Sequence, residues 1–310
     1  MRLYDIFVFQ MGDFLSDVLN TCDIKSAVYF KETFNKPWGM AIDHGPFAQF
    51  HVITRGHCQL RSRYLEQDVT LESGDVVLCI RGAEHNLMDE DAISCLSGIN
   101  VMTTLQRGDK PFPGKVPGAT LVCGHFELGS FRNHPFVEQL PEILVLTSDQ
   151  YSGHSMIPSL LPMIIDEQNS RQAGSDLISN KLAETLLVAV LRYHYLTSSR
   201  INMISDKYIY QALNYMHQQV HSHITVTDIA RKVGISRTLF IDRFKKAVGD
   251  TPRKYLNRWR LVLAGKMLKE GQPMDRVAAQ VGYQSETAFS RAFKRQYQQS
   301  PGRFRRSRST

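Results

Sequence analysis

One pattern occurs twice in the last third of the chain. The first copy runs from Ile229 to Pro252 and the second from Val277 to Pro301. In both copies a short apolar segment ends at a glycine, a serine follows, and two phenylalanines four residues apart lie further on. Equivalent residues are separated by 48 positions up to the glycine and by 49 after it, so the second turn has one additional residue. Each copy predicts a helix, a glycine turn and a second helix, which is the arrangement of a helix-turn-helix.

Capping residues predict where the helices of this region begin and end, and Asp206 is the expected N-cap of a helix that bears Ile209 and Leu213. Thr227 and Ser236 are the expected N-caps of the first unit, at about 227–248, and Ser285 caps the second helix of the unit at about 274–298. Between the units, a helix of about 18 residues, 252–269, would span about 27 Å. One turn of DNA is about 34 Å, so the two second helices could enter successive major grooves. The expected DNA site is therefore about two turns of asymmetric sequence.

The second helix of each unit has one apolar face and one face left for DNA. The predicted buried stripes are Phe240, Phe244 and Val248 in the first helix, and Phe289, Phe293 and Tyr297 in the second. The candidates for base contacts, on the opposite faces, are Arg237, Thr238, Ile241, Asp242, Glu286, Thr287, Ser290 and Arg291. The candidates for phosphate contacts, which position a protein without specifying sequence, are Lys245, Lys246, Lys294 and Arg295.

Three of these residues suggest how the two units differ. Arg291 lies mid-helix on the outward face and could read guanine with two hydrogen bonds, which makes it the first choice for a base contact. Ile241 suits the methyl group of thymine. Asp242 would repel phosphate, and could instead accept a hydrogen bond from cytosine or brace a neighbouring arginine. We expect the second unit to read bases mainly by hydrogen bonds, and the first mainly by apolar contact and position.

Charge is strongly segregated along the chain. Residues 201–310 hold 21 Lys and Arg against 7 Asp and Glu, a net charge of +14, whereas residues 1–200 hold 16 against 23, a net charge of −7. A basic segment joined to an acidic remainder indicates a polyanion-binding module attached to another domain. No apolar run is long enough to cross a membrane, and the N-terminus lacks the apolar core of a signal peptide. We therefore expect a cytoplasmic, nucleoid-associated protein that binds double-stranded DNA and no membrane.

The stretch from Ile224 to Phe304 resembles the AraC/XylS family of bacterial transcription regulators. The resemblance is carried by Asp228-Ile229-Ala230, by the segments 255–261 and 285–295, and by Ser300-Pro301. It implies a sequence-specific activator of transcription that forms homodimers and contacts RNA polymerase. It also implies that the positions of Thr238, Ile241, Asp242, Glu286, Thr287 and Arg291 tend to face bases.

The first half of the chain reads as short strands punctuated by glycine, followed by two helices at about 154–170 and 174–197. It resembles the cupin-type sensor domain of one branch of that family, in Trp38-Gly39, in the segments 50–56 and 71–78, and in 123–126. The expected fold is multidomain α+β, with an N-terminal antiparallel cupin-like β-barrel flanked by helices and a C-terminal all-α double helix-turn-helix. The expected ranges are 1–150 for the sensor domain, 151–200 for a dimerisation and linker region, and 201–310 for the DNA-binding domain.

The mouth of such a barrel is a natural cavity for a small-molecule effector of unknown identity. Its candidate lining residues are Trp38, His51, Arg63 and His85. Metal-binding cupins resemble a pattern with two histidines one residue apart, but Val52 and Ile53 follow His51, and the five scattered cysteines form no C-x-x-C pair. We expect no metal, no cofactor and no catalytic residue. The alternative is a metal-dependent cupin enzyme fused to an autoregulatory DNA-binding domain, which a stoichiometric transition metal would favour.

Overall fold

The structure is a computed structural model that describes residues 13–21, 24–129, 132, 134–153, 156–170, 172–197 and 203–306. It divides into two compact units that interleave along the chain, whereas the expected domain ranges are contiguous. The first, called here the sheet unit, comprises Ile24–Leu128 and Leu140–His194. The second, called the helical unit, comprises Met1–Asp23, Gly129–Gln139 and Tyr195–Thr310.

The described part of the sheet unit contains ten strands in two sheets. The strands are β1 (Lys25–Lys36), β2 (Gly39–Ile42), β3 (Ala48–Arg55), β4 (Cys58–Arg61), β5 (Val69–Leu71), β6 (Val76–Cys79), β7 (His85–Met88), β8 (Leu96–Ser97), β9 (Val116–Glu127) and β10 (Leu144–Leu146). Their orders are β1-β9-β3-β6-β10 and β5-β4-β7-β2-β8. Pairing is antiparallel except between β2 and β8. The strands thus form two separate sheets, whereas the sequence predicted a β-barrel. Three of the four edge strands, β5, β8 and β10, are only two or three residues long.

The core of this unit lies between the two sheets. Ile53 and Leu121 from the first sheet pack in one cluster with Leu60 and Leu87 from the second, and all four are fully buried. Side chains from the inner faces of both sheets thus form a shared core, as in two sheets packed face to face. Because burial of apolar area is the main favourable term in folding, this cluster stabilises the sheets against one another.

Within the described residues, four helices pack with or follow the sheets in sequence. They are α2 (Gly98–Gln106), α4 (Ser148–Tyr151), α5 (Ile157–Ser170) and α6 (Ser175–Thr197). The last two confirm the helices predicted at 154–170 and 174–197, although residues 154 and 155 lie outside the described residues. Among the described residues no helix is both long enough and apolar enough to cross a membrane.

The helical unit contains nine helices within the described residues. They are α1 (Phe14–Thr21), α3 (Pro135–Glu138), α7 (Lys207–Gln218), α8 (Val226–Val233), α9 (Arg237–Val248), α10 (Pro252–Lys269), α11 (Met274–Gln280), α12 (Glu286–Tyr297) and α13 (Pro301–Arg306). The predicted N-caps Ser236 and Ser285 are confirmed, since their hydroxyls accept hydrogen bonds from the amides three residues on. The predicted cap Thr227 is wrong. Helix α8 begins after Thr225, because the Thr225 hydroxyl accepts from the Asp228 amide and the Asp228 carboxylate accepts from the Thr225 amide, which completes a capping box.

Glycine is required in both turns of the helix-turn-helix pairs. Gly234 and Gly282 have φ angles of 76° and 77°, in the left-handed region that side chains disfavour. At Gly282 a Cβ atom would also lie 3.0 Å from the guanidinium group of Arg260. Backbone conformation therefore requires the repeated glycine in both copies, and close packing also favours it in the second copy.

Candidate nucleic-acid interface and a cavity between the sheets

Helices α9 and α12 are the second helices of the two helix-turn-helix pairs. Their phenylalanines, Phe240 and Phe244 in α9 and Phe289 and Phe293 in α12, have no exposed surface, as the stripe predicts. The predicted DNA-facing residues that are exposed are Arg237, Thr238, Asp242, Lys245, Lys246, Glu286, Thr287, Arg291, Lys294 and Arg295. Burying the aromatic face against the unit leaves this polar, mostly basic face available for DNA.

Two predicted base-contacting residues, Ser290 and Ile241, are half-buried rather than exposed. One exposed residue of α9, Leu239, was not among the predictions. The hydroxyl of Ser290 lies 3.8 Å from the Met274 sulfur and donates to it, and Ile241 is partly covered. Leu239 beside the stripe of α9 is 45% exposed. The sequence signal for Leu239 was its position off the phenylalanine stripe. Helix α9 thus carries the exposed apolar side chain of Leu239 in addition to the half-buried Ile241, and an apolar side chain can contact the methyl group of thymine. Asp242 makes no ion pair with any described residue, so it braces no arginine in this structure.

Helix α9 is held in place by a buried carboxylate that precedes α7. Asp206 accepts hydrogen bonds from the amides of Tyr208 and Ile209, which makes it the predicted N-cap of α7. Its other oxygen lies 2.9 Å from Nε of Arg243 in α9. The Asp206 side chain is 2% exposed, so this pair is largely shielded from water on the acid side. The sequence predicted the cap and missed the ion pair, which joins residues distant in sequence.

The helix between the two pairs, α10, supports the first pair through its own side chains. Arg260 donates to the carbonyl oxygens of Val220 and Ser222, at 2.9 and 2.8 Å. The ring of Trp259 stacks on His217 of α7, with centroids 4.2 Å apart and planes within 7°. Burial lowers the pKa of His217, an effect that the nearby Asp17 carboxylate partly opposes. The stacked ring is therefore neutral near pH 7, as a closely packed aromatic interior favours.

Residues from the first half of the chain complete this interior. Phe14 of α1 is fully buried and contacts His217 edge-on, with ring centroids 6.1 Å apart. His134, immediately before α3, meets the Trp259 ring edge-on at 6.1 Å, and burial lowers its pKa well below the ordinary value. Glu138 of α3 lies 2.9 Å from the guanidinium group of Arg258. Two short segments that lie far before the repeat in sequence are thus part of the helical unit, and no local sequence pattern indicated this.

A cavity of about 250 Å³ lies in the sheet unit at one end of the space between the sheets. It is lined by residues of β1, β2, β3 and β9, by the loop after β2, and by α2. His51 of β3 lines it, whereas His85 of β7 lies behind His51. Neither Trp38 nor Arg63 lines it. Trp38 is buried in the core against Phe34, and Arg63 is mostly exposed, where it pairs with Glu84.

A chain of hydrogen bonds joins His51 and His85 across the two sheets. Nδ1 of His85 lies 2.7 Å from the carbonyl oxygen of Ala83, which can only accept, so this nitrogen carries the proton. Nε2 of His85 therefore accepts from Nε2 of His51, 2.8 Å away. Nδ1 of His51 then accepts from the Cys123 thiol at 3.0 Å. Burial lowers the pKa of both histidines and raises that of Cys123, so both rings are neutral and the thiol keeps its proton.

These residues do not fit the metal centre that some cupins carry. The described residues contain no group of three or more His, Cys, Asp or Glu side chains arranged to hold a metal ion. Nε2 of His51 and Nε2 of His85, which could serve as ligands, hydrogen-bond to each other. Burial also raises the pKa of the neighbouring Cys79 thiol, and the thiolate rather than the thiol binds metals. The two histidines therefore join the sheets through the hydrogen bond between their rings.

Comparison with known proteins agrees with both halves of this description. Residues 13–195 match the protein family described as Cupin, and residues 229–307 match the family described as Helix-turn-helix domain. A putative AraC-like transcription regulator of Streptomyces lividans is 30% identical over 300 residues, which cover 95% of this chain and 98% of that protein. The RCS-specific HTH-type transcriptional activator RclR of Escherichia coli K12 is 26% identical over 264 residues, covering 83% of this chain and 84% of the activator.

The chain is also similar to solved structures of DNA-binding domains. The DNA-binding domain of the global transcriptional factor AdpA, determined in complex with a target DNA, is 27% identical, with 33% of this chain and 91% of that chain covered and a TM-score of 0.31. The fold and the family matches together define a DNA-binding transcription regulator with an N-terminal cupin domain and a C-terminal helix-turn-helix domain. The chain belongs to the AraC-like transcription regulators.

Proposed function

We propose that this regulator reads an asymmetric DNA site of about two turns with two unlike helices, and that a small molecule bound in its cupin domain controls it. Helix α12 would read bases through Glu286, Thr287 and Arg291. Helix α9 would contribute apolar contact through Leu239 and Ile241. The observation that carries this proposal is that the two helices bury the same phenylalanine pair and expose different residues.

The phosphate contacts are assigned to exposed basic residues near the ends of the same helices. Lys245 and Lys246 lie in the last turn of α9, and Lys294 and Arg295 lie in the last turn of α12. All four are exposed. Such contacts supply affinity that depends on salt and not on sequence. By family membership, we further propose an activator that acts in the cytoplasm as a homodimer and contacts RNA polymerase.

Control by the cupin domain is supported by the way that the two units interleave. Strand β9 contributes Cys123 and Gly124 to the cavity and ends at Glu127. The segment Gly129–Gln139 that follows belongs to the helical unit, and the chain then returns to the sheet unit at Leu140. A change in β9 is thus connected covalently, within a few residues, to His134 beside Trp259. Coupling of this kind requires the effector to bind two states of the protein with different affinities.

Arg291→Ala tests the assignment of base contacts. Because the side chain is exposed, its loss should leave folding intact and weaken specific binding by about 1–3 kcal/mol, or roughly 5- to 150-fold, while relaxing the preference for guanine at one position. The matched control is Lys294→Ala, one turn along the same helix. The control should weaken binding to specific and unrelated DNA alike and lower the slope of log affinity against log salt by about one. If Arg291→Ala lowers both affinities equally, Arg291 is a phosphate contact.

We infer no enzymatic activity for the cupin domain. The support is the chemistry of His51, His85 and the thiols around them, whose hydrogen bonds and protonation leave neither a metal-binding set nor an activated nucleophile. The relatives are likewise named as transcription regulators.

A further inference from the structure

The cavity between the sheets has mainly apolar walls. Phe30, Ile42 and Met102 line it, and so do Tyr29 and Ile99, which are 39% and 74% exposed. Exposed apolar side chains around one opening favour ligand binding, because the free energy falls when a ligand removes apolar surface from water. At about 250 Å³ the cavity is slightly smaller than typical ligand sites, which begin near 300 Å³. It therefore suits a compact molecule of one or two rings.

One polar group in the lining has an open hydrogen-bonding position. Oε1 of Gln49 is buried and has no hydrogen-bond partner. The other polar groups deep in the lining, His51 and Cys123, are committed to each other and to His85. A buried amide oxygen without a partner is costly, so a ligand that supplies a hydrogen bond there recovers free energy.

The lining does not favour a charged ligand. Among the described residues that line the cavity there is no lysine or arginine, and the one acid, Asp43, lies in the exposed loop after β2. His51 is neutral. An anion would lose its hydration without meeting a cation, and a cation would find its counter-charge only in water, where the attraction is weak.

We propose that this cavity binds an uncharged, largely apolar molecule of one or two rings whose single hydroxyl group hydrogen-bonds to the side-chain amide of Gln49. A hydroxyl both donates and accepts, so it matches either end of a primary amide. The apolar body of the molecule covers Tyr29, Ile99 and Met102. That this binding changes DNA affinity rests on the proposed function, whereas the binding itself does not.

A neighbouring cavity of about 450 Å³ provides the contrast. It shares Tyr29, Phe30 and Met102 with the first but is lined mostly by polar and charged residues, including Lys31, Glu32 and Asp176. A charged molecule would be expected there. Gln106 lines this second cavity and not the first, so it offers the same chemical substitution at a control position.

The test uses three probes with one aromatic body: 2-naphthalenemethanol, 2-naphthoate and 2-naphthylmethylammonium. Isothermal titration calorimetry with the full chain should show the alcohol binding at least tenfold more tightly than either ion. Gln49→Leu should weaken binding of the alcohol by roughly two- to tenfold, the range of one net hydrogen bond. The matched variant Gln106→Leu should leave that affinity unchanged. Ile99→Ser, at an exposed wall position, should weaken all three probes.

Tightest binding of either ion, or equal effects of Gln49→Leu and Gln106→Leu, would overturn the proposal. Folding of each variant is checked by tryptophan emission, to which Trp38, buried in the same unit, contributes. DNA affinity is measured separately, with and without the alcohol. If the alcohol binds at Gln49 but DNA affinity does not change, the site is correct and the proposed effector control fails. If no probe binds to the wild type, the proposed ligand site is wrong, whereas the proposal that the helical unit binds DNA still holds.

Discussion

Replacement of Asp206 should destabilise the helical unit by two separable amounts. The carboxylate caps α7 through the amides of Tyr208 and Ile209 and pairs with Arg243 of α9. Loss of an N-cap costs about 0.5–2 kcal/mol. The pair contributes at most about 1 kcal/mol, because the Arg243 side chain is 35% exposed and solvent screens it. Asp206→Ala should therefore lower the free energy of unfolding by about 1–3 kcal/mol. Asp206→Asn keeps a capping oxygen and should lower it by no more than about 1 kcal/mol.

The two tryptophans of the chain make this measurable on the full protein. Trp259 is buried in the helical unit and Trp38 in the sheet unit. In a Trp38→Phe background, emission during urea unfolding therefore reports the helical unit alone. With a urea m value of about 2 kcal/mol/M, Asp206→Ala should lower the midpoint by about 0.5–1.5 M.

The reasoning is refuted if Asp206→Ala leaves the midpoint unchanged. It is also refuted if Asp206→Asn costs as much as Asp206→Ala, since charge and not capping would then dominate. Arg231→Ala is the control, because Arg231 is 76% exposed and pairs at 3.5 Å with Asp228. This variant should produce no measurable shift.

Two further predictions use the same tryptophan reporters, and a third uses elemental analysis. Burial lowers the pKa of His134 and His217 below 6.5 in the folded protein. As the pH falls, the same histidines are therefore protonated at a higher pH in the unfolded chain than in the folded one. The Trp259 midpoint should be highest above about pH 6.5 and fall as the pH decreases toward the folded-state values, which unfolding at pH 7.5 and 5.5 would check. Glu138→Gln breaks an ion pair with an arginine of the helical unit and should lower the Trp259 midpoint. Glu142→Gln breaks a similar ion pair in the sheet unit and should leave that midpoint unchanged. Equal shifts would contradict the division into interleaved units. Elemental analysis of purified protein should find no stoichiometric transition metal, and a full equivalent would favour the metal-dependent alternative.

The repeat in the sequence was enough to predict the two helix-turn-helix pairs. Spacing of four residues identified the buried phenylalanines Phe240 and Phe289 and their partners, and the glycines and serines between helices marked turns and caps. These signals are local, since they depend on helix period and on backbone conformation. The one cap that was misplaced, Thr227, had a competitor two residues earlier whose capping box with Asp228 decided the start of α8.

The remaining features depend on contacts between residues far apart in sequence. Nothing local shows that Phe14 and His134 belong to the interior around Trp259, or that Asp206 reaches Arg243. In the sheet unit, Trp38 and Arg63 were candidate cavity residues because of their chemistry. Strand register instead places Gln49 on the same face as His51, two residues away, and both line the cavity. Residue type indicates what a side chain can do, and only the fold decides which side chains meet.

The central claim is that one chain reads two unlike DNA segments with α9 and α12. Its most direct test is the consensus obtained by selecting bound sequences from random DNA, combined with a footprint on the selected site. We expect each protomer to protect about two turns, with two different half-sites about one turn, or 10 base pairs, apart. Arg291→Ala should relax the consensus in one half-site only. Absence of an enriched sequence, or identical half-sites within the footprint of one protomer, would contradict the account.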